Sequence, residues 1–351
     1  LKIYLIDQFV CHEYIWRRSR SRSRDEFREG LHSHRAALHH HVSIAVTSPR
    51  QALTCPRAHR EGPSFFSRRS LPGGMESLDR STLCLKFVHV DVRPAGIAVV
   101  TIAKEPVNSM DLAMWMELDR VLVSLEANTS VAAVIFASGL KRDVFSAGND
   151  LMELYAPKTS AERYSNFWIT QNAFLVRLYR SRLATIAAIR GACPAGGCAI
   201  SLCSDVRLIT PEGSMGLNEV QLGIPVPKFW GLLMGRVVSP KIAQDILLSG
   251  RMVAAAEAKQ LGLVDDVVSA DKLMERALAA ARKACEVPPA ARAATKLLLR
   301  EDFCKAWELF YPTEPEYGWK FLSSASTIAV LEGAMRRLSS KGQKQEATSR
   351  L

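Results

Sequence analysis

The first regular pattern in the chain is a pair of short β-rich runs separated by a turn. The two runs are Phe87-Val88-His89-Val90-Asp91-Val92 and Ile97-Ala98-Val99-Val100-Thr101-Ile102. Residues 93–96 lie between them and include a proline and a glycine, which are typical of a tight turn. The pattern predicts a β-hairpin.

Helices and buried strands then alternate along the chain. Apolar side chains recur at helical spacing over residues 111–126, and a cap sequence around Ser160 opens a second predicted helix over 160–179. Short apolar runs typical of buried strands lie at 132–137, 183–189 and 206–209. Between the last two strands we expect a glycine-rich turn and a short helix. This alternation predicts an α/β fold with parallel strand pairing.

After Gly223 the pattern becomes mainly helical. Helical composition or spacing is found over residues 240–248, 254–261, 270–285, 289–300 and 317–338. The sequence therefore predicts three parts: an α/β core over residues 75–240, a helical C-terminal region over 241–341, and a flexible tail over 342–351.

Residues 1–74 differ in composition from the rest of the chain. They hold 13 Lys and Arg against 6 Asp and Glu, they contain no methionine, and they show no sustained helical or strand period. We expect this segment to be disordered, or to be an artefact of a misplaced gene start with Met75 as the true N-terminus.

Three other interpretations of this segment remain open. Its arginine–serine run at 17–24 resembles RNA-binding sequence. Its arginine and serine content also resembles a mitochondrial transit peptide, although transit peptides are poor in acidic residues and this one has Asp25, Glu26 and Glu29. The three consecutive histidines at 39–41 are a further candidate site for a metal.

Overall composition excludes several classes of protein. The chain has 351 residues, of which 48% are hydrophobic and 23% charged, and no run of about 18 apolar residues predicts a membrane span. Seven of the 8 histidines lie in residues 1–74, which leaves His89 alone in the rest. A multi-histidine metal site or a Ser-His-Asp triad without His89 is therefore excluded from the main body. We expect no metal, no membrane span and no nucleic-acid partner.

Three segments of the main body combine small residues with groups that can do chemistry. The first, 144–151, is a loop that leads into a helix and contains Ser146-Ala147-Gly148-Asn149-Asp150. The second, 191–198, is a small-residue turn that opens a helix, where free N–H groups suit an anion or a developing oxyanion. The third, 215–223, places the carboxylate of Glu219 among apolar and small neighbours.

The order and spacing of these segments resemble the crotonase (enoyl-CoA hydratase/isomerase) superfamily, and most closely its monofunctional Δ3,Δ2-enoyl-CoA isomerases. The motifs that carry the resemblance are Phe145-Ser146-Ala147-Gly148, Gly191-Ala192-Cys193-Pro194-Ala195-Gly196-Gly197-Cys198 and Gly216-Leu217-Asn218-Glu219-Val220-Gln221-Leu222-Gly223. The resemblance implies a spiral core of ββα repeats, a homotrimer, an acyl-CoA substrate and no cofactor, because coenzyme A is part of the substrate.

The resemblance also implies roles for particular residues. The backbone N–H groups of Asn149 and Gly196 are expected to hold the enolate oxygen of the thioester, and the turn formed by Ser146, Ala147, Gly148, Asn149 and Asp150, together with Gly196, is expected to bind the substrate. Asn149 departs from relatives, which often have an apolar residue there. Lys104, Lys141 and Arg142 are candidate partners for the phosphates of coenzyme A.

Glu219 is the expected acid–base catalyst. Hydratases of the superfamily use two glutamates, and the second would stand at Ala199 in this chain. One carboxylate can move a proton between two carbons, so the expected reaction converts a 3-enoyl-CoA to a 2-trans-enoyl-CoA in the β-oxidation of unsaturated fatty acids. The alternatives are a hydratase or other enolate chemistry of the superfamily, and a vestigial protein that binds coenzyme A or RNA.

Three neighbouring features have structural explanations. Asp150 is expected to cap the helix that follows it rather than to act as a catalyst. Asn218 either orients Glu219 or closes a turn. Three cysteines, Cys193, Cys198 and Cys203, lack metal or redox spacing and are expected to be buried.

The chain ends in Ser349-Arg350-Leu351, which resembles the Ser-Lys-Leu peroxisomal address. A peroxisome or related organelle is the expected compartment, with an import receptor as a partner at these residues. The mitochondrial matrix is the alternative.

Overall fold

A computed structural model describes the backbone of residues 85–349 and the side chains of residues 85–338. The interpretations of residues 1–74 and of the last three residues lie outside this range. The described chain opens with the predicted hairpin: strand β1 (Val88–Arg93) pairs antiparallel with strand β2 (Ile97–Ile102) through a 3-10 turn at Pro94–Gly96.

The main sheet contains six strands. Beyond β2 it continues through β3 (Ala133–Ser138), β4 (Ala184–Ile189), β6 (Val206–Ile209) and β9 (Asp266–Val267), and every pairing after the hairpin is parallel. The chain crosses from β2 to β3 through helix α1 (Leu112–Ala127). It crosses from β3 to β4 through helices α2 (Leu151–Leu154) and α3 (Ala161–Arg180). The predicted α/β core with parallel pairing is therefore confirmed in its strands.

Both faces of the main sheet are buried, which explains why its strands read as continuous apolar runs. On β2, Ala98, Val100 and Ile102 pack in one core with helices α1 and α3. Ile97 and Val99 point to the other face and pack in a second core with helix α8 (Leu273–Cys285). Side chains of a strand alternate between faces, so one strand serves both cores.

A second, three-stranded sheet joins the segments that contain the motifs. Strand β7 (Ser214–Gly216) lies between β5 (Ala192–Pro194), which is parallel to it, and β8 (Val253–Ala254), which is antiparallel. Helix α4 (Ala195–Cys203) follows β5 directly, and a 3-10 helix (Glu219–Leu222) follows shortly after β7.

The C-terminal half is mainly helical as predicted, with three differences: an additional helix at its start, a helix predicted over 289–300 that continues to Phe310, and two helices in place of the one predicted over 317–338. The remaining helices are α5 (Lys228–Val237), α6 (Pro240–Ser249), α7 (Ala255–Gln260), α9 (Pro289–Phe310), α10 (Glu314–Leu322) and α11 (Ala325–Ser349). Helix α5 has no counterpart in the sequence prediction. The single helix predicted over 317–338 is two helices, because the side chain of Ser324 accepts a hydrogen bond from the N–H of Thr327 and begins a new one.

The last helix also extends further than predicted. Its backbone continues to Ser349, into the segment 342–351 that the sequence analysis treats as a tail. That segment contains glutamine, lysine, glutamate and alanine, all of which favour helix.

Candidate active site

The first motif forms a loop that is held in place by hydrogen bonds from its backbone and from the hydroxyl of Ser146. The N–H of Phe145 donates to the carbonyl of Ala192 at 2.9 Å. Ser146 is fully buried: its hydroxyl donates to the carbonyl of Asn108 at 2.8 Å and accepts from the N–H of Gly148 at 2.9 Å. Ser146 therefore shapes the loop from behind and does not line the cavity to which the loop belongs.

Asn149 sits where this loop runs beside Met110. The N–H of Met110 donates to the carbonyl of Gly148 at 2.9 Å, and the N–H of Asp150 donates to the carbonyl of Met110 at 3.0 Å. Met110 thus bonds to the residues before and after Asn149. In such a parallel bridge the intervening residue directs its own N–H away from the partner strand. The N–H of Asn149 thus points away from Met110.

Gly196 lies in the first turn of helix α4. The first N–H groups of a helix have no intrahelical acceptor, and Pro194 at the N-cap supplies no side-chain cap. The N–H of Gly196 is therefore available to a ligand and stands at the positive end of the helix dipole.

The two turns are in direct contact. A Cβ atom on Gly148 would lie 3.5 Å from the nitrogen of Gly196, and one on Gly196 would lie 2.8 Å from the side-chain oxygen of Asn149. That oxygen also accepts a hydrogen bond from the buried indole of Trp115 at 3.3 Å. The polar side chain at 149 is thereby used by the protein itself, as the acceptor for a buried indole.

Glu219 is brought to this place by the small sheet. Strands β5 and β7 are parallel, with Pro194 opposite Gly216, so both chains leave the pair at the same edge. Gly196 comes two residues after Pro194, and Glu219 comes three residues after Gly216. The second and third motifs therefore converge, although Gly196 and Glu219 are 23 residues apart in the sequence.

The carboxyl group of Glu219 is buried and carries no compensating partner. Its side chain is 8% exposed, and neither carboxyl oxygen has a hydrogen-bond partner within the described residues. Burial raises the pKa of Glu219 to about 7, and its own backbone N–H opposes this shift. A carboxyl group with this pKa exchanges protons readily near neutral pH.

A single cavity of about 940 Å³ contains the carboxyl and the two turns. Of the predicted substrate-binding residues, Ala147, Asn149 and Asp150 line it, as does the predicted catalytic residue Glu219, whereas Gly148 and Gly196 do not line it but lie against Ala195 and Asn149, which do. Its other walls are mostly apolar, with contributions from Leu151, Leu154, Tyr164, Trp168, Leu222, Ile224, Pro225, Trp230, Ala334 and Leu338.

Several neighbouring residues have roles that the sequence analysis anticipated or left open. Asp150 is the N-cap of α2 and accepts from the N–H of Met152 at 3.0 Å, so the expected cap is confirmed. The backbone carbonyl of Asn218 closes the turn by accepting from the N–H of Gln221 at 3.0 Å, and within the described chain no hydrogen bond joins its side chain to Glu219.

The three cysteines are buried, as expected. Cys193, Cys198 and Cys203 are all fully inaccessible, and burial raises the pKa of the Cys193 thiol to about 12. No group of three or more potential metal ligands occurs among the described residues. None of the helices in this part of the chain is long and apolar enough to cross a membrane.

One of the three lysine and arginine candidates for phosphate binding is engaged elsewhere. The ammonium of Lys104 forms an ion pair with Asp111 at 2.7 Å, and its side chain is largely buried. Lys141 and Arg142 are exposed beside Val144, at the end of the first motif.

The buried carboxyl makes protein stability depend on pH in an unusual direction. The pKa of Glu219 is about 7 in the folded protein against 4.5 for an ordinary glutamate, so its contribution to stability is full below pH 4.5 and is lost as the pH rises towards 7. Glu219→Gln mimics the neutral form, and we expect it to raise the free energy of unfolding at pH 8 by on the order of 3 kcal/mol. Urea unfolding at pH 8 and pH 4.5 measures this; an equal difference at both values contradicts the assignment.

The fold and the site together define an enzyme of the crotonase type, with a buried, unpaired carboxyl group and two small-residue turns at one largely apolar cavity. The sequence model described as enoyl-CoA hydratase/isomerase matches residues 92–308. The chain belongs to this enoyl-CoA hydratase/isomerase family, and the fold class predicted from the resemblance is confirmed.

Three mammalian relatives are named as isomerases, and a bacterial relative is named a putative enoyl-CoA hydratase. The chain is 37% identical over 259 residues to mitochondrial enoyl-CoA delta isomerase 1 of Homo sapiens, covering 73% of this chain and 84% of the relative. It is 35% identical to the protein of that name from Mus musculus, covering 59% of this chain and 72% of the relative. The crystal structure of human mitochondrial delta3-delta2-enoyl-CoA isomerase superposes with a TM-score of 0.70 at 33% identity, covering 73% of this chain and 99% of that one.

Sequence reasoning missed the aromatic wall of the cavity. Tyr164, Trp168 and Trp230 come from helices α3 and α5, and further lining comes from helix α11. Their spacing in the sequence is that of ordinary core positions on amphipathic helices, so nothing in the local pattern marked them.

Proposed function

We propose that this protein is a Δ3,Δ2-enoyl-CoA isomerase, which converts a 3-enoyl-CoA to a 2-trans-enoyl-CoA without a cofactor. The observation that carries the proposal is the solitary carboxyl of Glu219, buried and unpaired within the described residues, with a pKa of about 7 and in one cavity with Asn149 and with Ala195, the neighbour of Gly196. The names of the human and mouse relatives support the same reaction.

The chemistry follows from the geometry in two proton transfers. The ionised carboxylate of Glu219 takes a proton from C2 of the substrate, and the electrons of that C–H bond move into the thioester to form a dienolate. The N–H groups of Asn149 and Gly196 stabilise the negative oxygen, each contributing about 3–4 kcal/mol at the transition state. The neutral carboxyl then returns the proton to C4, which moves the double bond from C3 to C2.

Ala199 weighs against a hydratase. Hydration requires one group to activate water and another to deliver a proton to carbon, and hydratases of the family have a second glutamate at this position. Ala199 is 1% exposed, packs in the apolar core, and does not line the cavity. The remaining carboxylate suits a proton shuttle between two carbons.

The decisive assay compares the two reactions on the same purified protein. Formation of conjugated 2-enoyl-CoA from a 3-enoyl-CoA is followed by its ultraviolet absorbance, and loss of absorbance from 2-enoyl-CoA reports hydration. We expect isomerisation to be the faster reaction by at least two orders of magnitude, about the contribution of one positioned acid–base group. Faster hydration would establish the alternative function.

The rate is expected to depend on pH through Glu219. Only the ionised carboxylate can accept the C2 proton, and the pKa of this group in the free enzyme is about 7. The kcat/KM for a 3-enoyl-CoA should therefore fall about tenfold for each pH unit below that value and level off above it. A profile that stays flat down to pH 5 would show that a group with an ordinary carboxyl pKa, or none, limits the reaction.

Assembly, coenzyme A contacts and compartment complete the proposal. Family membership supports a homotrimer and an acyl-CoA substrate whose phosphates approach the exposed Lys141 and Arg142. The names of the human, mouse and rat relatives include the word mitochondrial, which supports the mitochondrial matrix. The peroxisome remains a prediction from the terminal tripeptide, and imaging of the full chain with and without its last three residues tests it.

A further inference from the structure

A second cavity, of about 410 Å³, lies directly behind the aromatic wall of the first. Five residues line both cavities and so form the boundary between them: Tyr164, Trp168, Ile224, Pro225 and Pro227. On its far side the second cavity is lined by Phe310 and by residues of helix α10 and the turn before it.

Trp168 is the largest side chain in this boundary, and it contacts two aromatic rings and donates a hydrogen bond from its indole nitrogen. Its ring stacks on that of Trp230 at a centroid distance of 6.1 Å and an angle of 9°, and Tyr164 packs at 5.4 Å. The indole N–H donates to a carboxyl oxygen of Glu314 at 2.9 Å. The other oxygen of Glu314 accepts from the backbone N–H of Lys228 at 3.1 Å.

The ring behind Trp168 is anchored in the same way. The indole of Trp230 donates to the side-chain oxygen of Asn172 at 3.1 Å, and Trp307 donates to the same oxygen at 3.1 Å. Stacked, hydrogen-bonded rings in a close-packed interior keep one orientation, since any rotation would leave buried polar groups unpaired. The boundary is therefore rigid.

Glu314 differs from Glu219 in that its carboxyl oxygens are hydrogen-bonded to the protein. Both are buried glutamates, but each oxygen of Glu314 accepts a hydrogen bond from the protein, whereas those of Glu219 accept none. Glu314 is thus committed to holding Trp168 and to joining helix α10 to the start of helix α5.

We propose that Trp168 sets the acyl-chain length that this enzyme accepts, and that Glu314 is the residue that positions it. The inference rests on the proposed function. With the thioester at the two main-chain donors, the acyl chain extends along the apolar wall and its end meets the indole. A longer chain would need the space of the second cavity, which the fixed indole closes.

The test is the chain-length profile of kcat/KM across a homologous series of 3-enoyl-CoA thioesters. Trp168→Ala joins the two cavities, so the ratio of kcat/KM for a long chain to that for a short chain should rise at least tenfold, the worth of one or more methylenes in an apolar pocket. If the alanine variant does not fold, Trp168→Leu replaces it in the test. We expect the leucine variant to raise the same ratio by a smaller factor. A uniform loss at every length, or an unchanged ratio, overturns the proposal.

The role of Glu314 is tested by a pair of variants. Glu314→Ala frees the indole and should lower KM for the long thioesters while kcat for the short ones stays unchanged. Glu314→Gln keeps one acceptor, which can serve the indole while its NH2 group faces the N–H of Lys228, so it should move the profile back towards that of the parent. A loss of kcat at all lengths in both variants would mean that Glu314 acts only on folding.

Trp307→Phe is the matched control. Trp307, like Trp230, donates a hydrogen bond to the side-chain oxygen of Asn172, but it lines neither cavity. Its chain-length profile should equal that of the parent, and a shift like that of Trp168→Ala would contradict a specific role for Trp168. The same experiment distinguishes failure of the proposed function from failure of this inference. If the proposed function is wrong, the parent protein isomerises no thioester of the series. If only this inference is wrong, the parent is active and the variants have the same chain-length profile as the parent.

Discussion

Replacing Glu219 with glutamine is expected to lower kcat for a 3-enoyl-CoA by about 10²–10⁴-fold, the usual worth of a positioned acid–base group. Glutamine has nearly the same shape, so the cavity and the two main-chain donors stay in place, and KM should change little. The loss is large because, among the described residues, the only other carboxyl that lines the cavity is that of Asp150, which already accepts from the N–H of Met152 and the hydroxyl of Ser109.

Glu212→Gln is the control for this variant. Glu212 is exposed in the turn between strands β6 and β7, only seven residues from Glu219, and it does not line the cavity. Steady-state kinetics of both variants on one substrate should show parent rates for Glu212→Gln. Parent turnover by Glu219→Gln would remove the carboxyl from the mechanism, and with it the proposed function.

The second large effect is expected from Gly148→Ala. Gly148 has φ of +83°, and an added Cβ would lie 2.9 Å from the Cβ of Ala195 and 3.1 Å from the carbonyl oxygen of Pro194. Both contacts belong to the turn that presents the N–H of Gly196, so relief of the clash must separate the two donors. Because a displacement of about 1 Å at a catalytic group can cost on the order of 10²-fold, we expect a loss of that size in kcat.

The chain offers a matched control for the backbone strain in this variant. Gly262 has a similar φ of +74°, but an added Cβ there meets nothing within 4 Å. Gly262→Ala should therefore show only the cost of a left-handed alanine, about 1–2 kcal/mol of stability, with parent kcat. If both variants lose similar stability and Gly148→Ala keeps its turnover, the contact between the turns has no catalytic role.

Local patterns predicted most of the fold because most of its elements have strong local determinants. Ser160 caps helix α3 by accepting from the N–H of Arg163 at 3.1 Å, at the place that its cap sequence indicates. Strands buried on both faces show as short apolar runs, and all three predicted after the hairpin are present within a residue of their predicted limits. Helix α5 was missed because Pro225 and Pro227 precede it and two glycines interrupt it, which are features of loops in a local pattern.

The site was less predictable than the fold. Glu219 was selected on the strength of a motif and its apolar neighbours, and its burial without a partner became apparent only in three dimensions. The two turns were identified as small-residue segments, but their contact depends on the pairing of β5 with β7, which each have only three residues. The tryptophan boundary required helices α3, α5 and α10 to meet, and no short-range pattern encodes such a meeting.

The two donors of the proposed mechanism are peptide groups, so substitutions around them differ in their expected cost. A side-chain substitution at 149 leaves the amide proton in place, and its main expected effect is the loss of the oxygen that accepts from the indole of Trp115. A larger loss is expected from changes that bend the chain, at positions such as Gly148. Scans for damaging variants should therefore weight the glycines of the paired turns as heavily as Glu219.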